Sequence, residues 1–469
     1  MASGPFSITR RHAVSGALST AALAAASPVF SARPGNRPNI LFIMADDLGY
    51  ADLSCYGRAE YETPVLDGLA RDGMKCTHAY ANSAVCTATR VALITGRYQY
   101  RTPIGLEEPL GLRDVGLEPG HPTIASLLRN QGYRTSLIGK WHMGSLPKYG
   151  PLKSGYDEFW GIRSGGVDYF THASFGRPDL WDGTTPIEET GYLTELLAER
   201  TMDTLDRRAE DHQPFFISLH LTAPHWPWEG PEDKAESDRL ARSENPAAMM
   251  DYDGGDMDTY AAMVTSMDRQ IGRVLDRLEQ LGLADNTVVV FTSDNGGERF
   301  SDTWPFTGKK TELLEGGLRI PLIVRWPGLT TPGSESDVPV ISMDWLPTFL
   351  AAAGGAPDPA YPTDGIDIRP ALRGASLPDR TLFWRFSNHG QQAARHGRYK
   401  YLQIAGNSFL FDVVADPLER ANLKDRDPAR YDNLKKAWAA WDETMLHDPT
   451  APSYGFTGKA LADHFGVDS

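Results

Sequence analysis

Short, continuous apolar runs alternate with amphipathic segments over roughly the first three quarters of the chain. The runs have the length of strands buried on both faces, and they cover Asn39–Met44, Arg134–Gly139, Pro214–Leu221, Thr287–Thr292 and, more weakly, Pro321–Arg325. Helical periodicity occupies the segments between them, at Thr63–Asp72, Val85–Thr95, Pro122–Asn130, Tyr192–Arg208 and Met257–Leu281. This alternation predicts an α/β fold, in which helices sandwich a large, mostly parallel sheet.

The pattern changes after about Pro370. Short antiparallel strands separated by His-Gly and Gly-Asn turns are predicted at Thr381–Phe386, Tyr399–Ile404 and Phe409–Val414, with a helix near Tyr431–Met445. A chain of 469 residues exceeds what one hydrophobic core usually serves. We therefore expect a main domain over residues 36–375 and a small α+β domain over residues 376–469.

The N-terminus has the features of an export signal. Arg10 and Arg11 precede a weakly apolar stretch, Ala13–Phe30, which is too short and too small in side chain for a stable membrane span. Paired arginines before such a stretch are typical of a twin-arginine signal, with a general secretory signal or a disordered start as alternatives. We predict a signal peptide over residues 1–32, a periplasmic or secreted protein and no membrane span.

Composition excludes several classes of function. The chain carries 46 Lys and Arg against 61 Asp and Glu, which gives a net charge of −15. The negative electrostatic field of such a protein repels nucleic acid. An anionic ligand would therefore need a local positive pocket. Three cysteines are too few for a disulfide scaffold, and Cys55 and Cys76 are open to pairing or to remaining as buried thiols.

Acidic residues follow two of the predicted strands directly. Asp46 and Asp47 come after the first apolar run, and Asp294 and Asn295 come after Thr287–Thr292. The carboxyl ends of sheet strands are where α/β folds bind ligands, and such oxygen ligands suit a hard divalent cation. The alternatives are a helix cap for the first pair and an ordinary Asn-Gly turn for the second.

Cys86 opens a predicted helix, with Arg90 one turn further along the same face. Free N–H groups and a partial positive charge at the start of the helix favour an anion or an activated nucleophile there. The alternative is a small buried cysteine before an amphipathic helix.

Six short motifs occur in a fixed order along the chain. They are Asp46-Asp47, Cys86-Thr87-Ala88-Thr89-Arg90, Gly139-Lys140-Trp141-His142, Ala223-Pro224-His225, Asp294-Asn295-Gly296, and Gly308-Lys309-Lys310 before Glu315-Gly316-Gly317. Taken together, these motifs resemble the type I, formylglycine-dependent sulfatases, an arylsulfatase-like family of the alkaline phosphatase superfamily. The resemblance spans roughly residues 38–425 and implies an alkaline phosphatase-like fold. At Ala88 the family signature more often has proline.

The resemblance implies a sulfuric ester hydrolase that cleaves aryl or carbohydrate sulfate monoesters. In that family a formylglycine-generating enzyme oxidises the cysteine, here Cys86, to formylglycine (3-oxoalanine). Its hydrate attacks sulfur to give a covalent sulfate ester, and the remaining hydroxyl then expels sulfate. One divalent cation, with Ca²⁺ favoured over Mg²⁺, would be held by residue 86 together with Asp46, Asp47, Asp294 and Asn295.

The same resemblance assigns roles to the basic residues. Arg90 would hold residue 86, Lys140 would bind the sulfate oxygens, and His142 would take the proton in the elimination step. Lys140 and His142 would share one side if the strand that begins at Arg134 continues through them. His225 would bind sulfate and protonate the leaving oxygen, and Lys310, with Lys309 as the alternative, would contact the leaving group. We interpret His220 as a core residue, and Glu315 and Arg319 as structural.

Other positions stay open. Trp226 and Trp228 could stack on a sugar or aryl group, or pack the loop against the core. The leaving-group pocket could include Asp168, Tyr169, His172 and the Asn388-His389 loop. The expected partners are a sulfated small molecule or glycan and the maturing enzyme. Two rival functions use the same residues: a formylglycine-dependent phosphodiester or phosphonate monoester hydrolase, and a non-catalytic protein that binds sulfated glycans.

Overall fold

The central strand, β1 (Asn39–Ala45), contributes side chains to two hydrophobic cores, because alternate side chains point to opposite faces of the sheet. Leu41 and Ile43 enter the core that helices α1, α4 and α6 cover, whereas Ile40 and Phe42 enter the core under α2, α3 and α8. Those helices are α1 (Pro64–Asp72), α2 (Cys86–Thr95), α3 (Ile124–Asn130), α4 (Leu193–Asp211), α6 (Met257–Gln280) and α8 (Trp345–Ala352). The remaining helices are α5 (Lys234–Ala241), α7 (Glu315–Leu318), α9 (Arg369–Leu372) and α10 (Pro428–Asp442).

This computed structural model describes Met1 and residues 37–106, 114–211, 213–251 and 254–450. The predicted signal peptide, residues 1–32, lies outside the described residues apart from Met1. Within the described ranges the further strands are β2 (Met74–Cys76), β3 (Ala79–Tyr80), β4 (Arg134–Gly139), β5 (Glu158–Ile162), β6 (Ala173–Ser174), β7 (Arg177–Pro178), β8 (Leu180–Asp182), β9 (Thr185–Pro186), β10 (Phe215–His220), β11 (Thr287–Ser293), β12 (Leu322–Arg325), β13 (Ser334–Ser336), β14 (Val340–Ile341), β15 (Thr381–Phe386), β16 (Gln391–His396), β17 (Tyr399–Ile404) and β18 (Asn407–Asp412).

Ten strands form the large sheet, in the order β13-β2-β12-β11-β1-β10-β4-β5-β8-β9. Its central pairs, from β11 through β1, β10 and β4 to β5, are parallel. The pairs that β12 and β8 make with their neighbours are antiparallel. The predicted α/β fold with a large, mostly parallel sheet between helices is therefore confirmed, and the parallel centre brings several strand ends to one edge.

The C-terminal segment forms a separate antiparallel sheet, β15-β16-β17-β18, with α10 packed against it. β16 was not predicted, because Gln391–His396 (QQAARH) has no apolar run. Helix α10 begins at Pro428, three residues before the predicted start, since the Asp427 side chain caps it by accepting a hydrogen bond from Arg430 N at 3.1 Å. The small antiparallel-sheet-plus-helix unit is confirmed, while its boundary near residue 375 stays a prediction.

Among the described residues, none of the helices has both the length and the apolar character that a bilayer crossing requires.

Candidate active site

The two acidic strand ends meet at the carboxyl edge of the parallel sheet. β1 ends at Ala45, and Asp47 takes a left-handed φ of 60°, so its carboxylate turns toward the same side as that of Asp46. Asp47 N donates to Asp294 Oδ1 at 3.2 Å, and Asn295 Nδ2 donates to Asp47 Oδ1 at 2.7 Å. The predicted convergence of these four residues is present, and it depends on the strand ending where it does.

Cys86 is the first residue of α2 and points into this acidic cluster. Its Sγ lies 3.3 Å from Asp46 Oδ1 and 3.9 Å from Asp47 Oδ1. One possible ligand atom each from Asp46, Asp47, Cys86 and Asp294 lies within 4.8 Å of the others, and all four side chains are buried. Among the described residues, the buried Oδ1 of Asn295 has no hydrogen-bond partner. These features together fit a divalent cation with oxygen ligands.

Crowded negative charge changes the proton affinities of this cluster. Burial raises the pKa of the Cys86 thiol well above its ordinary value, and the carboxylates of Asp294 and Asp46 raise it further. Burial and the nearby Asp294 also raise the pKa of Asp46. Burial opposes the charge of Asp294 as well, but Arg90 and Lys140 outweigh it and lower the pKa of that carboxyl. A bound cation would relieve the repulsion among the carboxylates.

Arg90 connects the helix of Cys86 to the acidic cluster from inside the protein, with its side chain fully buried. Its Nε and Nη2 both donate to Asp294 Oδ2, at 3.1 and 2.8 Å, and Nη2 lies 3.7 Å from Asp46 Oδ1. Nη1 donates to the carbonyl of Lys140 at 3.3 Å. The guanidinium thus fixes the carboxylates around residue 86, while the predicted contact with residue 86 itself stays a prediction.

Lys140 and His142 reach the site by a different route from the one predicted. β4 ends at Gly139 and His142 has a left-handed φ of 54°, so the condition under which the two side chains would share one side of a strand is not met. The fully buried Lys140 ammonium forms an ion pair with Asp46. Backbone bonds instead place His142, since its N–H donates to Arg163 O at 3.0 Å and its carbonyl accepts from Thr87 Oγ1 at 2.8 Å.

His225 and Lys310 face the cluster from the side of Asp47. His225 Nδ1 lies 2.6 Å from Trp226 O, the geometry of an N–H donor, which leaves Nε2 facing Asp47 Oδ2 at 3.6 Å. Lys310 Nζ lies 2.6 Å from the same carboxylate oxygen and 3.2 Å from Glu298 Oε1. Burial, Lys310 and Lys140 lower the pKa of His225 well below its ordinary value.

Comparison with known proteins identifies the family. The family model described as Sulfatase matches residues 38–356, which is more than half of the chain. The chain belongs to the sulfatase family. It is therefore a hydrolase of sulfuric esters, within the alkaline phosphatase superfamily, as the motif resemblance implied.

Known proteins resemble this sulfatase over most of both chains. Human N-acetylgalactosamine-6-sulfatase is 31% identical over 77% of this chain and 71% of its own. Rat steryl-sulfatase is 32% identical over 73% of this chain and 72% of its own. The crystal structure of Ps i-CgsB in complex with k-i-k-neocarrahexaose has a TM-score of 0.78 and 29% identity, covering 88% of this chain and 96% of that one.

Several residues whose roles the sequence did not decide support the loops of the sulfatase site. Trp226 and Trp228 are buried in the core around α6, so packing against the core, rather than an exposed stacking surface, is what the structure shows. The fully buried Tyr169 donates to His225 O at 2.9 Å. Asp168 accepts hydrogen bonds from the backbone of Phe170 and Thr171, and His172 Nε2 lies 3.1 Å from Gly191 O.

The residues interpreted as structural are buried behind the site. His220 lies inside β10, where burial and then Arg90 lower its pKa to about 3. Glu315 bonds to Tyr80 and Arg319, each at 2.6 Å, and forms an ion pair with Lys400 at 2.9 Å. Cys55 and Cys76 are both free thiols, so the disulfide alternative does not hold in this structure.

Sequence reasoning missed two features of the sulfatase site. Glu298, three residues after Asn295, contacts Lys310, and its position in the same loop was the only signal available. Gly165 and Gly166 pack against the catalytic histidine candidates, since an added Cβ would lie 2.5 Å from His142 Cε1 and 2.9 Å from His225 Cε1. No motif in the sequence indicates that close approach.

Proposed function

We propose that the protein hydrolyses sulfate monoesters of an aryl or carbohydrate group through a formylglycine made from Cys86. The observation that carries the proposal is the position of Cys86 Sγ, 3.3 Å from Asp46 Oδ1 at the start of α2. An unmodified thiol there is a weak nucleophile, because burial and adjacent carboxylates raise its pKa. Formylglycine supplies a hydrated aldehyde, with one oxygen to attack sulfur and a second to release sulfate.

The cation in this proposal is held by Asp46, Asp47, Asp294, Asn295 and residue 86. Bound there, it supplies Lewis acidity to the nucleophile and the sulfate group. Ca²⁺ is favoured over Mg²⁺ because the candidate ligands are buried protein oxygens, whereas Mg²⁺ usually keeps several of its waters.

Two lysines, Lys140 and Lys310, are proposed to bind the sulfate group and the bridging oxygen, respectively. Their ammonium groups contact Asp46 and Asp47, so both already border the place where residue 86 would meet a substrate. Preorganised positive charge at this point stabilises the charge that develops during sulfate transfer. It also resolves how a protein of net charge −15 can bind an anion.

Two histidines are proposed to move protons. His225 binds sulfate and donates from Nε2 to the leaving oxygen, because its Nδ1 is engaged with Trp226 O. An anionic sulfate would offset the charges of Lys310 and Lys140, which contribute to the low pKa of His225. His142 takes the proton that starts the release of sulfate. Burial and the surrounding cations lower its pKa, so its neutral form, the base, is favoured.

Names of similar proteins support a carbohydrate sulfate as the substrate class. One relative is named for N-acetylgalactosamine-6-sulfate chemistry, and one solved neighbour holds k-i-k-neocarrahexaose. Another relative is named steryl-sulfatase, so the test below also includes a sulfate ester that is not a sugar sulfate. We further propose that a formylglycine-generating enzyme matures Cys86 and that the N-terminal residues direct bacterial export to the periplasm or beyond.

Turnover of matched esters tests the proposal. The values of kcat/KM are compared for 4-nitrophenyl sulfate, a panel of sulfated sugars, a phosphodiester and a phosphonate monoester. A higher value for a sulfate ester supports the proposal, whereas a higher value for a phosphorus ester replaces it with the rival hydrolase. Binding of sulfated glycans without turnover supports the non-catalytic alternative. Cys86→Ala should abolish turnover, and Cys76→Ala, a buried thiol on β2, should retain it.

A further inference from the structure

A glutamine of the C-terminal sheet holds the loop that carries Lys310. Gln391, the first residue of β16, is 1% exposed. Its Oε1 accepts a hydrogen bond from Leu313 N at 2.8 Å, and its Nε2 donates to Thr311 O at 2.8 Å. Both backbone groups lie within three residues of Lys310, so one amide side chain ties the two sides of this turn to β16.

The loop needs such support because its backbone is in an unfavourable conformation. Thr311, directly after Lys310, has a φ of 73°, a left-handed value that β-branched residues rarely adopt. Surrounding contacts must fix a residue in this region. Backbone bonds supply part of that constraint, from Lys310 N to Gly297 O at 3.0 Å and from Thr311 N to Ala84 O at 2.8 Å.

Hydrogen bonds of this loop connect it to three different parts of the protein. The bond to Ala84 joins it to the segment just before Cys86, and the bond to Gly297 joins it to the segment just after Asn295. Gln391 adds the connection to the C-terminal sheet. Only a side chain with both a donor and an acceptor satisfies Thr311 O and Leu313 N at once, which explains an amide at this buried position.

We infer that Gln391 is a positioning residue for Lys310, through which the C-terminal sheet sets the contact of this lysine with the leaving oxygen. The inference rests on the proposed role of Lys310 in the sulfatase reaction. Its consequence is specific, because a displaced lysine slows esters with basic leaving groups more than esters whose leaving groups depart unaided.

The test measures kcat/KM for aryl sulfates that span a range of leaving-group pKa. Gln391→Met keeps the length of the side chain and removes both hydrogen-bonding groups, and Gln391→Asn keeps the amide but shortens its reach. The matched control is Gln392→Met on the same strand, because Gln392 Oε1 accepts from Tyr401 Oη at 3.1 Å and lies outside the Lys310 loop contacts.

We expect both Gln391 variants to lose about 10- to 100-fold for the most basic leaving group, the range known for groups that orient a ligand, and much less for 4-nitrophenol. In a Lys310→Ala background the Gln391 substitution should add little, because the lysine it positions is absent. Gln392→Met should keep the wild-type dependence on leaving-group pKa.

Equal losses for all leaving groups, or the same loss with and without Lys310, would overturn the inference and leave Gln391 with a purely structural role. Hydrogen exchange of the Leu313 amide checks the contact independently, and unchanged protection in Gln391→Asn would also overturn it. The activity of the wild type distinguishes failure of the proposed function from failure of this inference. Absence of sulfate ester turnover in the wild type would overturn the proposed function. Normal wild-type turnover, with the same dependence of kcat/KM on leaving-group pKa in Gln391→Met, would overturn only this inference.

Discussion

Arg90 and Asp294 form a fully buried ion pair in which two donors of the guanidinium, Nε and Nη2, share one carboxylate oxygen, Oδ2. The other oxygen, Oδ1, accepts a hydrogen bond from Asp47 N. Arg90 therefore determines which oxygen of Asp294 faces Asp47 in the acidic cluster. The pair also joins the helix of Cys86 to the end of β11, two elements more than 200 positions apart in sequence.

Replacement of this arginine tests the orientation. Arg90→Lys keeps the charge but loses the planar fork, so two donors no longer hold the Oδ2 atom of Asp294. We expect kcat/KM or metal affinity to fall about 10- to 100-fold, as for other groups that orient a metal ligand. The control is Arg101→Lys, because Arg101 also donates to a carboxylate through Nε and Nη2, here to the two oxygens of Asp364 outside the site. Wild-type metal content and activity in Arg90→Lys would contradict this role.

Loss of a ligand charge tests the cation site. Asp294→Asn preserves side-chain size and removes one negative charge from the buried cluster. Calcium affinity, measured by titration calorimetry after chelation, should fall by at least the roughly 10- to 100-fold seen for outer contacts of metal sites. Activity lost on chelation should return with Ca²⁺ more fully than with Mg²⁺. Equal calcium affinity in the two proteins would argue against Asp294 as a ligand.

The ion pairs of Lys400 predict a large change in stability. Its Nζ lies 2.9 Å from both Glu315 Oε1 and Glu419 Oε1, and all three side chains are fully buried. Lys400→Met removes the cation that pairs with Glu419 and leaves Glu315 paired with Arg319, and removing one partner of a buried pair costs about 3–5 kcal/mol. Urea unfolding should show a loss of this size, and the exposed Lys436→Met should change stability by less than about 0.5 kcal/mol. A loss below about 1 kcal/mol for Lys400→Met would refute the prediction.

His78 predicts a pH dependence of stability. Burial, followed by the cations Arg319 and Arg395, lowers its pKa to about 3. The unfolded chain, with an ordinary histidine pKa near 6.5, binds more protons than the folded chain between these values. The contribution of His78 to the free energy of unfolding is therefore fully present above about pH 6.5, and it is lost progressively as the pH falls toward 3.

Comparison with His78→Gln isolates this effect. From pH 7.5 to pH 5, the wild type should lose about 1–2 kcal/mol of unfolding free energy relative to the variant. Chemical unfolding at each pH measures the difference. Parallel stability curves for the two proteins would show that His78 does not make this contribution.

The acidic half of the site could be predicted from local sequence, because carboxylates directly after parallel strands must meet at one edge of the sheet. Asp46, Asp47, Asp294 and Asn295 meet in this way. The same reasoning fails at His142, which follows β4, two strands from β1 in the sheet. There the chain turns out of β4 and its backbone bonds to Arg163, a contact that no periodicity contains.

The contacts that support the Lys310 loop also could not be predicted from the sequence. Gln391 lies on a strand without an apolar run, about 80 residues from the loop it contacts, and both of its side-chain bonds to that loop go to backbone atoms. Backbone contacts place no demand on residue type in the loop, so the loop sequence carries no signal of them. Such tertiary contacts depend on how the C-terminal sheet packs, which local patterns do not determine.

The chemical state of residue 86 tests the central claim most directly. Tryptic digestion of the exported protein from its native host releases the peptide Cys76–Arg90, whose mass reports the modification. Formylglycine replaces the sulfur of Cys86 by oxygen and removes two hydrogens, and the mechanism predicts this mass. A peptide that carries only unmodified cysteine at residue 86, in correctly exported protein, would contradict the mechanism and support binding without catalysis.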